Sequence, residues 1–148
     1  MNEDQIKLIS EKLKVDKKFF NVWKNKLKIQ KYKIGEIILN INSVPDYILL
    51  LIDGKIRLRG ISSNNDNKLF SLAILNPFEI IGLSSNRLQK PIEIVSAGSD
   101  CLCLSIPIKE WKLFKKEIHN EGFNLGNEGI DISELWYLLN NSFNNIEF

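Results

Sequence analysis

The spacing of apolar residues divides the chain into three zones. Over the first 26 residues, Ile6, Ile9 and Leu13 recur at i, i+3 and i+7 on an otherwise charged surface, which predicts an amphipathic helix. Asp16 is placed to cap a second helix, in which Phe19 and Trp23 share one face with Phe20 beside them. From Leu27 the period changes. Short segments rich in Ile, Leu and Val alternate with turn residues, as strands do. The expected strands are Leu27–Tyr32, Glu36–Leu39, Tyr47–Ile52, Lys55–Ile61, Leu69–Ile74, Glu79–Leu83, Ile92–Ala97 and Cys101–Ile106. Helix returns after Pro107, with Trp111, Phe114 and Ile118 again at i, i+3 and i+7. A loop containing Gly122, Gly126 and Gly129 follows. Asp131-Ile132-Ser133-Glu134 then has the form of a capping box, opening a closing helix with Leu135, Leu138, Leu139 and Phe143 as its apolar positions.

The breaks between strands are chemically sensible. Asn42–Asp46 is a loop, and Asp53-Gly54 has the two-residue form of a tight primed hairpin turn. Ser62–Asn67 is polar enough for an exposed hairpin tip, and Gly98-Ser99-Asp100 supplies the last turn. Eight short strands without intervening helices predict a mainly β fold, an eight-stranded antiparallel jelly-roll barrel with helices at both ends. The 148 residues suit one domain: helices over 1–26, barrel over 27–106, helices over 107–148.

Composition alters the picture in two places. The chain holds 22 Ile, 17 Asn and 17 Lys against three Arg, so individual lysines carry little weight as evidence of function. The net charge of +2 is uneven: residues 1–34 carry +6, the middle is balanced, and residues 115–148 carry −4. A basic start and an acidic end can attract each other or face a partner. The N-terminus lacks the form of a secretory signal, and no window approaches the apolar length of a membrane span, so a cytoplasmic protein with no direct membrane insertion is expected.

Catalytic chemistry finds little support. Cys101 and Cys103 point to one face of a strand and read as a buried structural pair. His119 is the only histidine and falls in an expected helix beyond the barrel, which leaves no ligand set for a zinc or cupin-type metal. The sequence has no G-x-S-x-G elbow, H-E-x-x-H helix, Walker loop or G-x-G-x-x-G. The expectation is a non-enzyme without cofactor.

Two stretches resemble a known family. Tyr32-Lys-Ile-Gly35-Glu36-Ile37-Ile38-Leu39, followed by Asp46–Leu58 with Gly54 after an apolar run, is similar to the opening of a cyclic-nucleotide-binding domain. Leu75-Asn76-Pro77-Phe78-Glu79-Ile80-Ile81-Gly82 resembles the strand that leads into that family's phosphate-binding cassette. The resemblance spans about Leu27 to Glu117, and implies a jelly roll holding a cyclic nucleotide between cassette and barrel. It also implies a glutamate after the cassette glycine to hold the ribose hydroxyl, and an arginine about ten residues later to pair with the cyclic phosphate.

The cassette departs from that pattern. Gly82 is present, but Leu83 stands where the glutamate belongs, and the arginine position falls on Pro91 or Ile92. The next charge is Glu93, a carboxylate that would repel a phosphate monoanion. Burying a cyclic phosphate without a partner for its charge costs several kcal/mol, so cAMP and cGMP are disfavoured as ligands. Arg87, the one arginine of the cassette, is expected at the surface, and Lys90 supplies only a point charge. The alternative is a sensor for a cyclic nucleotide or another anion, built from Arg87 and the Gly82-Leu83-Ser84-Ser85 loop at the pocket mouth. The family's catabolite-activator-like regulators add a winged-helix DNA reader, but the acidic stretch after Glu117 lacks the bases that nucleic-acid contact needs. The closing helix, with Tyr32, Gly35, Glu36, Gly54, Arg57 and Leu58, instead resembles the N-terminal regulatory domain of bacterial secretion-type ABC transporters. That resemblance implies a regulatory module with a protein partner: a second copy, or a transporter domain in cis. The apolar stripe of the closing helix, with Trp136 or Phe143 in it, is the expected contact.

Overall fold

A computed structural model describes residues 1–40, 42–61, 69–125 and 132–144. Two helices, α1 (Glu3–Leu13) and α2 (Lys17–Trp23), precede strands β1 (Lys28–Tyr32), β2 (Ile37–Leu39), β3 (Tyr47–Asp53), β4 (Ile56–Ile61), β5 (Leu69–Leu75) and β6 (Ile80–Ile81). A short helix α3 (Leu83–Leu88) leads to β7 (Ile94–Ala97), β8 (Cys101–Pro107), α4 (Ile108–Asn120) and α5 (Ile132–Asn144). The caps follow the chemistry of the sequence. Asp16 Oδ1 accepts the N–H of Lys18 at 2.9 Å to start α2, and Pro107 stands immediately before α4. Asp131, the expected cap of α5, lies outside the described residues, as do the 62–67 tip and the glycines at 126 and 129.

The eight strands form two antiparallel four-stranded sheets, β1-β8-β3-β6 and β2-β7-β4-β5, flanked by helices as expected. This is the jelly-roll architecture, and β3 shows why its sequence is uninterrupted Ile and Leu. Ile48, Leu50 and Ile52 turn outward into one core with Leu104, Ile106, Phe20, Trp23, Trp111 and Phe114, under α1, α2 and α4. Leu49 and Leu51 turn inward into a second core with Ile56, Leu58, Val95, Cys101 and Cys103, between the sheets. A strand covered on both faces needs apolar residues at every position.

The Asp53-Gly54 turn is a correction to the sequence reading. Strands β3 and β4 do not pair; they belong to different sheets, so Gly54 turns a corner between layers and not a hairpin. A second corner, Gly98–Asp100, brings the chain back from β7 to β8, and the two corners interlock. The N–H groups of Gly98 and Ser99 donate to Lys55 O at 2.9 and 3.3 Å, and Lys55 N–H donates to Ser99 Oγ at 2.8 Å. Gly54 has φ +94°, and a Cβ there would press into the Asp100 carbonyl oxygen and lie 3.0 Å from Cys101 Cα. Only glycine meets both demands.

Candidate functional site

The cassette is the turn from β6 through α3 to β7. Gly82 opens it with φ +97°, and its missing Cβ leaves room for Tyr47 O, 3.2 Å from where that atom would sit. Leu83 begins α3 and does not end a strand as expected; it is half-buried and packs against the outer core. Asn86 ties the helix to the barrel rim, its Nδ2 donating to Pro45 O at 2.9 Å and Gly82 O at 3.0 Å. Ser84 and Ser85 are each 1% exposed, so they do not line a pocket mouth. Ser85 Oγ instead accepts the N–H of Ile92 at 3.2 Å.

The centre of the cassette holds a carboxylate. Glu93 is 3% exposed, and its Oε2 accepts the N–H of Gly82 at 2.9 Å while Oε1 accepts that of Ser85 at 2.8 Å. A buried carboxylate needs such donors, and backbone amides directed at an anion form charge-assisted bonds that are stronger than neutral ones. From the sequence, Glu93 falls near the expected phosphate position as a repelling charge. The structure shows it engaging the cassette's own amides.

Arg87 also lies elsewhere than expected. Its side chain is one-third exposed, and Nη1 donates to Glu134 Oε2 at 2.8 Å, where Glu134 on α5 is buried. Lys90 Nζ donates to Tyr137 Oη at 2.8 Å. The ammonium sits at the hydroxyl edge of that ring, so the contact is a hydrogen bond and not a cation resting on the π face. Of the residues named from sequence, Gly82, Leu83, Ser84, Ser85 and Arg87 therefore share one short segment. Sequence reasoning missed Glu134 and Tyr137, the partners that α5 brings. In the sequence Glu134 reads as the acid of its own helix's capping box, and its position two residues before Trp136 carries no other signal.

Helix α5 is docked on β4, β5 and α3, not on the N-terminal helices that a charge attraction would favour. Its orientation inverts the usual rule. Ser133 and Glu134 are 2% and 5% exposed, whereas Leu135, Leu138 and Leu139 are 48%, 40% and 47% exposed. Trp136 faces inward, edge-on to Phe70 at 4.8 Å, and leaves the expected outer patch to the leucines and Ile132. The side chain of Phe143 lies outside the described residues. At the cassette entrance, Phe78 holds φ +77° and packs edge-on against Phe123 at 5.3 Å, which anchors the segment after α4.

Cys101 and Cys103 are buried free thiols between the sheets. Burial, reinforced by the neighbouring Cys101, pushes the Cys103 thiol up to about 12, so it stays protonated and unreactive near neutrality. Among the described residues no three His, Cys, Asp or Glu side chains gather as a metal site, and no helix is long and apolar enough to cross a membrane.

No family model and no curated protein matches the chain. Solved structures do. The regulatory subunit of a cAMP-independent protein kinase A from Trypanosoma brucei aligns with TM-score 0.65 at 9% identity, over 93% of this chain and 50% of that one. The regulatory domain of Toxoplasma gondii protein kinase A, solved with cAMP, aligns with TM-score 0.62 at 13% identity, over 79% and 48%. The catabolite activator protein of Thermus thermophilus aligns with TM-score 0.56 at 16% identity, over 86% and 55%. The chain spans about half the length of these structures. At such identities the likeness establishes the fold: that of cyclic-nucleotide-binding regulatory domains.

Proposed function

We propose that the chain is a non-catalytic regulatory module of cyclic-nucleotide-binding fold whose phosphate site is filled from within. The observation that carries this is the Glu93 carboxylate, held by the N–H groups of Gly82 and Ser85. A cyclic phosphate seeking those donors would meet a buried negative charge already paired with them, and no arginine stands at Pro91 or Ile92 to compensate. Leu83 offers no acceptor to a ribose hydroxyl. The second reading, an anion sensor built on Arg87 and the 82–85 loop, is disfavoured by the ion pair that Arg87 makes with Glu134. On the proposed reading the module acts through contact. The outward leucines of α5 are the surface offered, and the partner is a second copy or, as resemblance to secretion-type ABC transporters suggests, a transporter domain in cis.

Isothermal calorimetry with cAMP and cGMP tests the proposal. No binding is expected at micromolar concentration; a dissociation constant below about 10 μM, about −7 kcal/mol, would overturn it. Should binding occur and disappear in Arg87→Ala, the sensor reading would take its place.

A further inference from the structure

Two of the chain's three arginines, Arg57 and Arg59, stand on β4, and the cassette gives neither a role. Their cross-strand neighbours fix the face they share. Arg57 lies between Ser96 on β7 and Ile74 on β5, and Arg59 between Ile94 and Ser71. Leu58 and Val95, which alternate with these residues, enter the core between the sheets, so both arginines are on the outer side. Helix α5 meets this sheet from the other side, with Trp136 against Phe70 and 3.1 Å from where a Cβ of Gly60 would sit. The outer side faces solvent: Arg57 is exposed, and Ile37 and Ile74 in its row are 65% and 49% exposed. No acid stands across the sheet from either arginine. Among the described residues neither makes a side-chain hydrogen bond or ion pair, and the buried Nε of Arg59 has no acceptor.

The strand beside them ends its sheet. β5 has β4 on one edge and, among the described residues, no strand on the other. Its sequence, Leu69-Phe70-Ser71-Leu72-Ala73-Ile74-Leu75, includes no charge and no proline, the usual guards of an edge. Ser71 is small and exposed, and leaves Arg59 a path over β5 to that edge. We propose that β5 takes up an extended acidic segment of a partner protein as a further strand, whose carboxylates pair with Arg57 and Arg59. Main-chain hydrogen bonds along the open edge hold the segment, and the arginines select its charge. Turned toward the edge, Arg59 gives its Nε–H and one Nη–H to a single carboxylate, which satisfies the donor now left unpaired. A second copy fits less well, because β5 set against β5 would bring four arginines to one continuous face without an acid. The surface is separate from the cassette and from the leucine face of α5, so neither cAMP binding nor a monomeric α5 bears on it.

The test is titration of the full-length, ¹⁵N-labelled protein with three peptides of about eight residues. One alternates Glu with Val, one alternates Lys with Val, and one alternates Glu with Pro, which keeps the acid but cannot join a ladder. The Glu–Val peptide is expected to give saturable amide shifts along Leu69–Leu75 and to slow hydrogen exchange on that strand. The Lys–Val and Glu–Pro peptides should each bind about tenfold more weakly or worse, a difference of about 1.4 kcal/mol. Arg57→Gln with Arg59→Gln should weaken the Glu–Val peptide to a similar extent. Arg57→Gln alone, at an exposed position, should lose part of the same affinity while leaving the fold intact. Shifts that never saturate, that fall outside β4 and β5, or that survive both substitutions unchanged would overturn the site. Equal binding of the Glu–Pro peptide would overturn strand addition, and equal binding of the Lys–Val peptide the choice of an acidic partner. Exchange in β5 that slows with protein concentration alone would place a second copy at the edge and overturn the proposal.

Discussion

Glu93 Oε2 accepts the N–H of Gly82 at 2.9 Å, across eleven residues of chain, and so closes the cassette on itself. The same carboxylate takes the Ser85 N–H through its other oxygen. The two buried donors of the loop are thus satisfied from within the chain. Two consequences follow, one for stability and one for binding.

Replacing Glu93 by Ala leaves two buried N–H groups unpaired, at a cost of about 1–3 kcal/mol each. The variant is expected to lose about 2–4 kcal/mol in urea unfolding, far more than Glu79→Ala at the surface. Adding Leu83→Glu and Pro91→Arg to Glu93→Ala would place an acceptor and a guanidinium where resemblance to the family puts them. That triple variant should bind cAMP measurably by calorimetry and regain thermal stability when it does. A triple variant as indifferent to cAMP as the parent would show that these three positions are not what excludes the nucleotide.

Gly54 supports the second stability prediction. A methyl group there meets the Asp100 carbonyl and Cys101 backbone, and φ +94° adds strain of its own. Gly54→Ala should destabilise by about 3 kcal/mol or more, read as a shift of the urea midpoint. Gly122→Ala is the control: φ is +91° there, but nothing lies within 4 Å of the added atom, so only the conformational cost of about 1 kcal/mol remains. Equal losses at the two sites would refute the interlocked-corner account.

Much of this fold is legible in the sequence, because burial on one or two faces leaves a periodic trace. The run Tyr47–Asp53 reads as a strand since both of its faces are covered, and Phe19, Trp23, Trp111 and Phe114 keep helical spacing because each helix has one covered face. Sheet membership is not legible in the same way. Asp53-Gly54 has the chemistry of a hairpin, and only the long-range contact with Asp100 and Cys101 makes it a corner. The site was legible as a departure: Leu83 and Pro91 break the pattern where a nucleotide would be held. The carboxylate that takes the loop's amides is not, since a buried glutamate and a surface glutamate look alike in sequence. Helix α5 misled for a related reason. Its leucines mark the apolar face, but the face turned inward is that of Ser133, Glu134 and Trp136.

Alkaline pH should act through the half-buried Tyr32 phenol and the buried Cys103 thiol. Burial raises Tyr32 to about 12, with Tyr47 adding to the shift, and burial raises Cys103 to about 12, with Cys101 adding. Unfolded, these groups titrate near about 10 and about 8.5. The folded state therefore holds its protons more tightly, and stability falls as pH rises wherever the unfolded state binds fewer protons. The contribution is fully present below about pH 8.5 and is lost progressively toward pH 12. The melting temperature is expected to drop between about pH 8.5 and 11, and less steeply in Cys103→Ala. A profile of the same slope in that variant would remove Cys103 from the account.

The outward face of α5 gives the last prediction. Ile132, Leu135 and Leu139 stand at i, i+3 and i+7, the spacing of a helix seam, with Leu138 beside them, and all four are at least 40% exposed. Apolar side chains in such a stripe lower their free energy by leaving water, and a second copy of the helix offers a complementary seam by symmetry. Sedimentation at tens of micromolar should show a dimer that Leu135→Glu with Leu139→Glu converts to monomer. Trp136→Glu should act differently. Its ring packs on Phe70 inside the protomer, so the loss is one of helix docking, seen as faster hydrogen exchange in α5. A parent that sediments as a monomer at every concentration, with α5 still protected from exchange, would rule out the second copy and leave a different protein as the partner of this face.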